Sequence, residues 1–178
     1  YDRPVRLDVF TQNIFYHEVL TPHYPLFQHL PYESALTSRI VDIALHHQLD
    51  LVHVHYAIPH ASAAVFARQI LKTYNIDLPV ITTLHGTDIT LVGKEETYTP
   101  IVKYSINESN GVTSVSEYLK KATYDYFKTD THIRVIPNFV SLERFKPETN
   151  SRLLYRKMVA PNDEKLLIHT SNFRKVKR

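Results

Sequence analysis

The sequence predicts an α/β fold built on a parallel, Rossmann-like sheet. Short β-branched runs alternate with segments of about ten to fifteen residues whose apolar side chains recur at helical spacing. Such alternation is typical of βαβ units, because parallel strands need a crossover connection that is usually a helix. A second observation is that polar residues directly follow most of the predicted strands. In an open parallel sheet that edge is where ligands bind.

Each predicted element follows from its own local pattern. The segment Glu33 to His47 places Leu36, Ile40 and Ile43 on one helical stripe. The other predicted helices are Ser62 to Tyr74, Tyr98 to Asn107, Ser116 to Phe127 and Ser151 to Val159. The predicted strands are Val5 to Phe10, Ile14 to Val19, Leu51 to His55, Val80 to Leu84, Gly111 to Val115, Ile133 to Ile136 and Lys165 to Thr170. Five of these strands end in polar residues, namely His55-Tyr56, His85, Ser116, Asn138 and Ser171-Asn172.

The amino-acid composition reduces the number of functional classes to which the protein could belong. An apolar content of 43% with 22% charged residues is ordinary for a globular protein, and the net charge of +3 is too small to indicate nucleic-acid binding. The absence of cysteine excludes disulfides and thiolate metal sites. No apolar run reaches the roughly 18 residues needed to span a bilayer, so we expect a cytoplasmic protein. With only three glycines, the chain has no glycine-rich phosphate loop.

The sequence also predicts a domain boundary. Around residues 141–150 the pattern becomes polar and proline-marked, before a short helix and a new strand. We therefore expect residues 1–145 to form a Rossmann-like domain, residues 146–160 to connect it onward, and residues 161–178 to begin a second domain. The chain starts without Met and stops just after a predicted strand. The expectation is a fragment, incomplete at both ends.

The strand Val80 to Leu84 runs directly into His85-Gly86-Thr87-Asp88. Gly86 permits a tight turn and a close approach of the backbone to a ligand, and His85 offers a donor, an acceptor or an acid-base group. Asp88 either orients an imidazole or caps the next segment. The alternative is a plain turn with an Asx cap.

Two histidines on one strand raise the question of a metal. His53 and His55 share a face of their strand, and with His60 and His85 they could bind zinc, as in a metal-dependent hydrolase built on a (β/α) barrel. The alternative is that accidental pairs are common among eleven histidines, and that His53 is buried and hydrogen-bonded. The spacing identifies no third ligand, so the prediction is that no metal is bound.

Other candidate residues are spread along the chain. Ser116 is suited to an N-cap, and a helix N-terminus also presents free N–H groups to anions. Asn138, after a proline, either ties down a turn or reaches into the cleft. The basic run at the end is either a solvated tail or a phosphate contact, in which Arg174 and Lys177 would hold a diphosphate.

Taken together, five motifs resemble the retaining glycosyltransferases of family 4, and among them those of the bacillithiol pathway. The motifs are His53-Val-His-Tyr-Ala-Ile-Pro-His60, Thr82-Thr-Leu-His-Gly-Thr-Asp-Ile-Thr90, Val112-Thr-Ser-Val-Ser116, Pro137-Asn-Phe-Val140 and His169-Thr-Ser-Asn-Phe-Arg-Lys-Val-Lys-Arg178. They occur in order between about Ile14 and Arg178. The HGTDIT and SNFRKVKR strings are the most specific of them.

The resemblance implies a two-domain GT-B fold in which N-acetylglucosamine passes from UDP-N-acetylglucosamine to L-malate with retention, without metal or cofactor. It implies that the second domain holds most of the donor and the first domain holds malate. The residues that it assigns are His85 at the reaction centre, Tyr56, Thr83 and Asn138 at the acceptor, and Gly86, Ser116, Arg174 and Lys177 at the donor.

The chain departs from that family pattern at both ends. It lacks the amino-terminal glycine-rich loop and nearly all of the second domain, so we expect these 178 residues alone to be inactive. A non-catalytic UDP-binding or anion-binding module is a further alternative. The sequence leaves the oligomeric state open, with a homo-oligomer as one alternative.

Overall fold

The computed structural model describes residues 13–21, 25, 28–146, 149–162 and 164–170. The chain divides into two units, Tyr1–Asn138 and Phe139–Arg178. The predicted strand Val5 to Phe10 lies outside the described residues. The predicted domain limits at residues 145 and 160 remain predictions.

The first unit contains a four-stranded parallel sheet. Its strands are β1 (Val52–His55), β2 (Val80–Leu84), β3 (Gly111–Ser114) and β4 (Ile133–Val135), hydrogen-bonded in the order β1-β2-β3-β4. Pairing is in register, with Val52 opposite Val80, Ile81 opposite Gly111 and Val112 opposite Ile133. This sheet confirms the predicted α/β class and its parallel, Rossmann-like arrangement.

Helices connect the strands. They are α1 (Tyr32–His46), α2 (Ser62–Lys72), α3 (Thr99–Glu108) and α4 (Glu117–Phe127), with π-helical turns at Ala57–Ala61 and Thr87–Leu91 and a 3-10 turn at Val92–Lys94. Each strand pairs with the next one along the chain. Because such parallel crossovers are right-handed, successive connecting helices cover the same face of the sheet. The opposite face therefore carries the alternate residues of each strand.

The core lies between that face and its helices. Leu84, Val112 and Ile133 of the sheet pack with Ile106 of α3 and Phe127 of α4, and all are almost fully buried. Removing side chains of this size from water stabilises the fold by about 1.5–3 kcal/mol each. A second cluster joins α1 to α2 through Val41, Ala44, Ala67 and Leu71. The carboxyl ends of the strands are therefore held on a rigid base.

The buried residues of helix α2 differ in part from the apolar stripe that the sequence predicts. The helical spacing of the segment Ser62 to Tyr74 predicts that Phe66 and Tyr74 share its apolar stripe, but both side chains are exposed. The buried residues of α2 are Ser62, Ala63, Ala64, Val65, Ala67, Arg68 and Leu71. Tyr74 lies beyond the end of α2 at Lys72.

Two predicted strands do not form. Residues 14–21 have no regular secondary structure, and Phe15 is exposed. Residues 164–170 also lack it, and Leu167 and Ile168 are exposed. A strand is stable only when a neighbour satisfies its backbone groups, and neither segment pairs with a described strand. The predictions Ile14 to Val19 and Lys165 to Thr170 are therefore wrong for this structure.

The second unit contains one helix, α5 (Thr149–Val159), among its described residues. It begins two residues before the predicted start at Ser151. Leu154, Met158 and Val159 are exposed on it. Across the described part of the chain, every helix is too short or too polar to cross a membrane.

Candidate functional site

The candidate site lies at the carboxyl ends of β1 and β2. His55 is the last residue of β1 and stands opposite Thr83 of β2, while His85 directly follows the last residue of β2. Because the strands are parallel and adjacent, both deliver their next residues to the same edge of the sheet. Tyr56 and His85 consequently meet there, with ring centroids 5.0 Å apart.

Asp88 holds the two loops of this edge together. Its Oδ2 accepts a hydrogen bond from the backbone N–H of Ala57 at 2.9 Å. Its Oδ1 accepts from the N–H groups of Gly86 at 2.9 Å and His85 at 3.3 Å. The side chain is buried, and a buried carboxylate needs such donors to replace water. Neither predicted role of Asp88 is observed: its carboxylate accepts from backbone N–H groups rather than from an imidazole, and the next segment, Thr87–Leu91, has no side-chain cap hydrogen bond.

Two residues at this edge have backbone angles that L-amino acids rarely adopt. Gly86 has φ of 121°, and no atom would contact a Cβ added there. Glycine is therefore required by backbone conformation rather than by crowding. Tyr56 has φ of 75° without that freedom, and its N–H donates to the carbonyl of Thr83 at 2.9 Å. Strained residues of this kind persist where the surrounding contacts hold them.

The side chain of His85 is hydrogen-bonded to another histidine. Its Nε2 lies 2.7 Å from Nδ1 of His55, and the two ring centroids are 4.9 Å apart. His60 approaches from the loop, where its Nδ1 donates to the backbone carbonyl of His55 at 2.6 Å. The predicted group of histidines is therefore real, but it is joined by hydrogen bonds.

The electrostatics of this group centre on His55. Desolvation lowers the pKa of His55 below its ordinary value, and repulsion from His53, His85 and His60 lowers it further. A neutral imidazole has one N–H donor and one nitrogen acceptor. The lowered pKa favours this neutral form of His55.

A second chain of polar side chains lies on the face of the sheet opposite the helices. Thr83 Oγ1 lies 2.8 Å from Nε2 of His53 and 2.7 Å from Oγ1 of Thr113. The predicted hydrogen bond of His53 is present. Its predicted burial is wrong: the side chain is exposed on the face of β1 opposite that of the buried Val54.

The described residues contain no set of ligands for a metal ion. In this part of the chain, no three or more histidine, aspartate or glutamate side chains converge on a common point. One nitrogen of His53 is bonded to Thr83 and one of His55 to His85. A structural zinc site needs four ligands and a catalytic one at least three. The arrangement suits a polar organic ligand better than a metal.

The structure describes some of the remaining candidate residues and not others. Ser116 caps α4, with its Oγ accepting from the N–H of Leu119 at 3.2 Å, so its predicted N-cap role is confirmed. Asn138 lies in an exposed segment after β4. Arg174 and Lys177 lie outside the described residues. Within the described part, the predicted site residues Tyr56, Thr83, His85 and Gly86 lie together at this edge, and Ser116 lies on the connection after β3.

The sequence led us to group His55 with His85 as metal ligands rather than as hydrogen-bond partners, and it gave no indication of Thr113. The signal for His55 was present, since parallel pairing of the two predicted strands would place it beside the end of β2. Thr113 had no comparable signal, because its role depends on which neighbour β2 has.

Comparison with known proteins identifies the class. Residues 2–144 match the model of Glycosyltransferase Family 4, and the chain belongs to this family. Membership of this family excludes the barrel hydrolase interpretation.

One relative has a more specific name than the family as a whole. The chain is 39% identical over 175 residues to N-acetyl-alpha-D-glucosaminyl L-malate synthase of Bacillus anthracis. The match covers 98% of this chain and 45% of that relative. The chain therefore spans about half the length of the curated relative that it matches.

Proposed function

We propose that the protein containing this chain transfers N-acetylglucosamine from UDP-N-acetylglucosamine to L-malate, as a step of bacillithiol biosynthesis. The observation that carries the proposal is the 39% identity over 98% of the chain to a relative named for this product. Membership of the glycosyltransferase family supports the same reaction type. The retaining stereochemistry follows from the family resemblance and is part of the proposal.

The candidate site suits this reaction. Tyr56 and Thr83 belong to neighbouring strand ends and, with Asn138, would bind the small dicarboxylate acceptor. His85 would contact the donor sugar at the reaction centre. Gly86 permits a close approach of the donor, because its backbone turns there without a side chain.

The bonds that break and form in this reaction determine the roles of the other donor-binding residues. The bond between the anomeric carbon and the diphosphate oxygen breaks, a bond to the malate hydroxyl oxygen forms, and that hydroxyl loses its proton. Negative charge accumulates on the departing diphosphate, and fixed donors stabilise it most where charge develops. Arg174 and Lys177 would supply fixed positive charge, and the amino end of α4, capped by Ser116, would supply N–H groups.

The domain organisation is part of the same proposal. Residues 1–145 would form the acceptor domain, residues 146–160 the connection, and residues 161–178 the start of the UDP-sugar domain. Since the site is completed across two domains, the 178-residue chain alone would not catalyse transfer.

The test is an assay of the full-length protein with UDP-N-acetylglucosamine and a panel of small hydroxy acids. The expected product is the malate glycoside, and proton NMR should show the anomeric configuration of the donor. Transfer to a different acceptor would overturn the malate assignment, and an inverted product would overturn retention. Binding of UDP without transfer to any acceptor would favour the non-catalytic module instead.

A further inference from the structure

We propose that His55 is a positioning residue that sets both the ring orientation and the proton location of His85, so that His85 meets the donor sugar through its Nδ1. The inference rests on the proposed function for the role of His85. It concerns a residue that is neither in the proposed acceptor set nor in the proposed donor set.

The geometry leaves one ring nitrogen of His85 for a ligand. Nε2 is engaged by Nδ1 of His55 at 2.7 Å. The ring stands beside that of Tyr56, with the centroids 5.0 Å apart, and the backbone N–H of His85 donates to Oδ1 of Asp88. With Nε2 engaged, a ligand at this strand end meets Nδ1.

The hydrogen bond between the two rings holds one proton. If His55 donates it, His85 is an acceptor at Nε2 and carries its own proton at Nδ1, where it donates to the ligand. If His85 donates it, Nδ1 is free to accept from a ligand hydroxyl. In both cases the direction of this bond decides what His85 offers, so His55 controls the tautomer of His85.

His55 is itself held in place. His60 donates to its backbone carbonyl, and the next residue, Tyr56, donates its N–H to Thr83. Burial and the neighbouring histidines lower the pKa of His55, which favours its neutral form. The titratable groups around the pair are His53, His60 and Tyr56, with the Asp88 carboxylate directed at the backbone of His85.

Three replacements of His55 separate hydrogen bonding from packing in the full-length protein. The amide of His55→Asn reaches the position of Nδ1 and either donates or accepts there. The amide of His55→Gln extends farther, toward the position of Nε2, and His55→Leu removes the hydrogen bond. His46→Leu is the control, since His46 is an exposed residue of α1.

The expected result is a drop in kcat of at least about 10-fold for His55→Leu and His55→Gln, with the KM for UDP-N-acetylglucosamine within about twofold of wild type. Such a pattern indicates a loss of transition-state positioning. His55→Asn should stay within about threefold of wild type, as should His46→Leu. Equal losses in the Asn and Leu variants, a change in KM alone, or no loss in the Leu and Gln variants would overturn the inference.

A second measurement does not depend on activity. Nitrogen-15 NMR of the imidazole rings should show one tautomer for His85 in the wild type and in His55→Asn, and a mixture in His55→Leu. If the wild type transfers no sugar but the tautomer changes as expected, the proposed function fails and the control of His85 stands. An unchanged tautomer in His55→Leu would overturn that control. If His55→Leu fails to fold, the comparison of the Asn and Gln variants gives both results.

Discussion

The carboxylate of Asp88 accepts a hydrogen bond from the backbone N–H of Ala57, 31 residues earlier in the chain. The same carboxylate accepts from the N–H of Gly86. One buried side chain therefore joins the loop after β1 to the loop after β2. The relative position of Tyr56 and His85, which flank these contacts, depends on that join.

The first prediction concerns this carboxylate. Asp88→Asn replaces one accepting oxygen by an NH₂ group that faces a backbone donor, so one buried N–H loses its partner. We expect the free energy of unfolding to fall by about 1.5–3 kcal/mol, the usual contribution of a hydrogen bond to a charged group. Urea unfolding measures it.

Asp125→Asn is the matched control for that variant. Asp125 pairs with Lys121 on the surface of α4, and both side chains are more than half exposed. Exposed pairs of this kind contribute little to stability, because water and salt screen the two charges. Equal losses in the two variants would show that Asp88 does not support the edge.

The second prediction concerns His85. In the full-length protein, His85→Ala should lower turnover at least about 100-fold, because a positioned polar group at the reaction centre is lost. Circular dichroism should remain that of the wild type, since the side chain is not part of the core. A turnover close to wild type would remove His85 from the reaction centre.

The third prediction concerns pH. The pKa of His55 is lowered in the folded state, so the unfolded chain binds a proton at His55 more readily. Stability from this source is present above the ordinary value of 6.5 and is lost as pH falls from there toward the lowered folded value. The loss of unfolding free energy between about pH 7.5 and 5 should therefore be smaller in His55→Asn than in wild type.

Urea unfolding at the two pH values measures that difference. The other titratable groups are common to both proteins, and His46→Asn, at an exposed position, serves as the control. An identical loss in wild type and His55→Asn would show that His55 titrates alike in the folded and unfolded states.

The fourth prediction concerns the basic residues after position 170. Arg174→Ala and Lys177→Ala should each weaken UDP binding by the full-length protein by about 1.5–3 kcal/mol, the value of a hydrogen bond to a charged group. L-malate binding should change much less. Calorimetric titration measures the dissociation constants of UDP and L-malate, and Lys121→Ala, at an exposed position, is the control. An unchanged dissociation constant for UDP would make this segment a solvated tail.

Local sequence patterns were sufficient to predict much of the sheet and the helices that connect its strands. The limits predicted for β2, Val80 to Leu84, agree with the structure, and so does the cap of α4 by Ser116. Both features depend on residues close together in sequence. A β-branched run that ends at a His-Gly pair, or a serine ahead of an apolar helical stripe, carries its own signal.

The contacts that make the site depend on tertiary structure. His55 and His85 are 30 residues apart, and they meet because β1 and β2 pair in parallel and in register. The segments Ile14 to Val19 and Lys165 to Thr170 have strand-like sequences, but no described strand lies beside them to form hydrogen bonds. Helical hydrogen bonds are local, so sequence predicts them well. Strand pairing and the contacts between strand ends are non-local, and only the folded chain decides them.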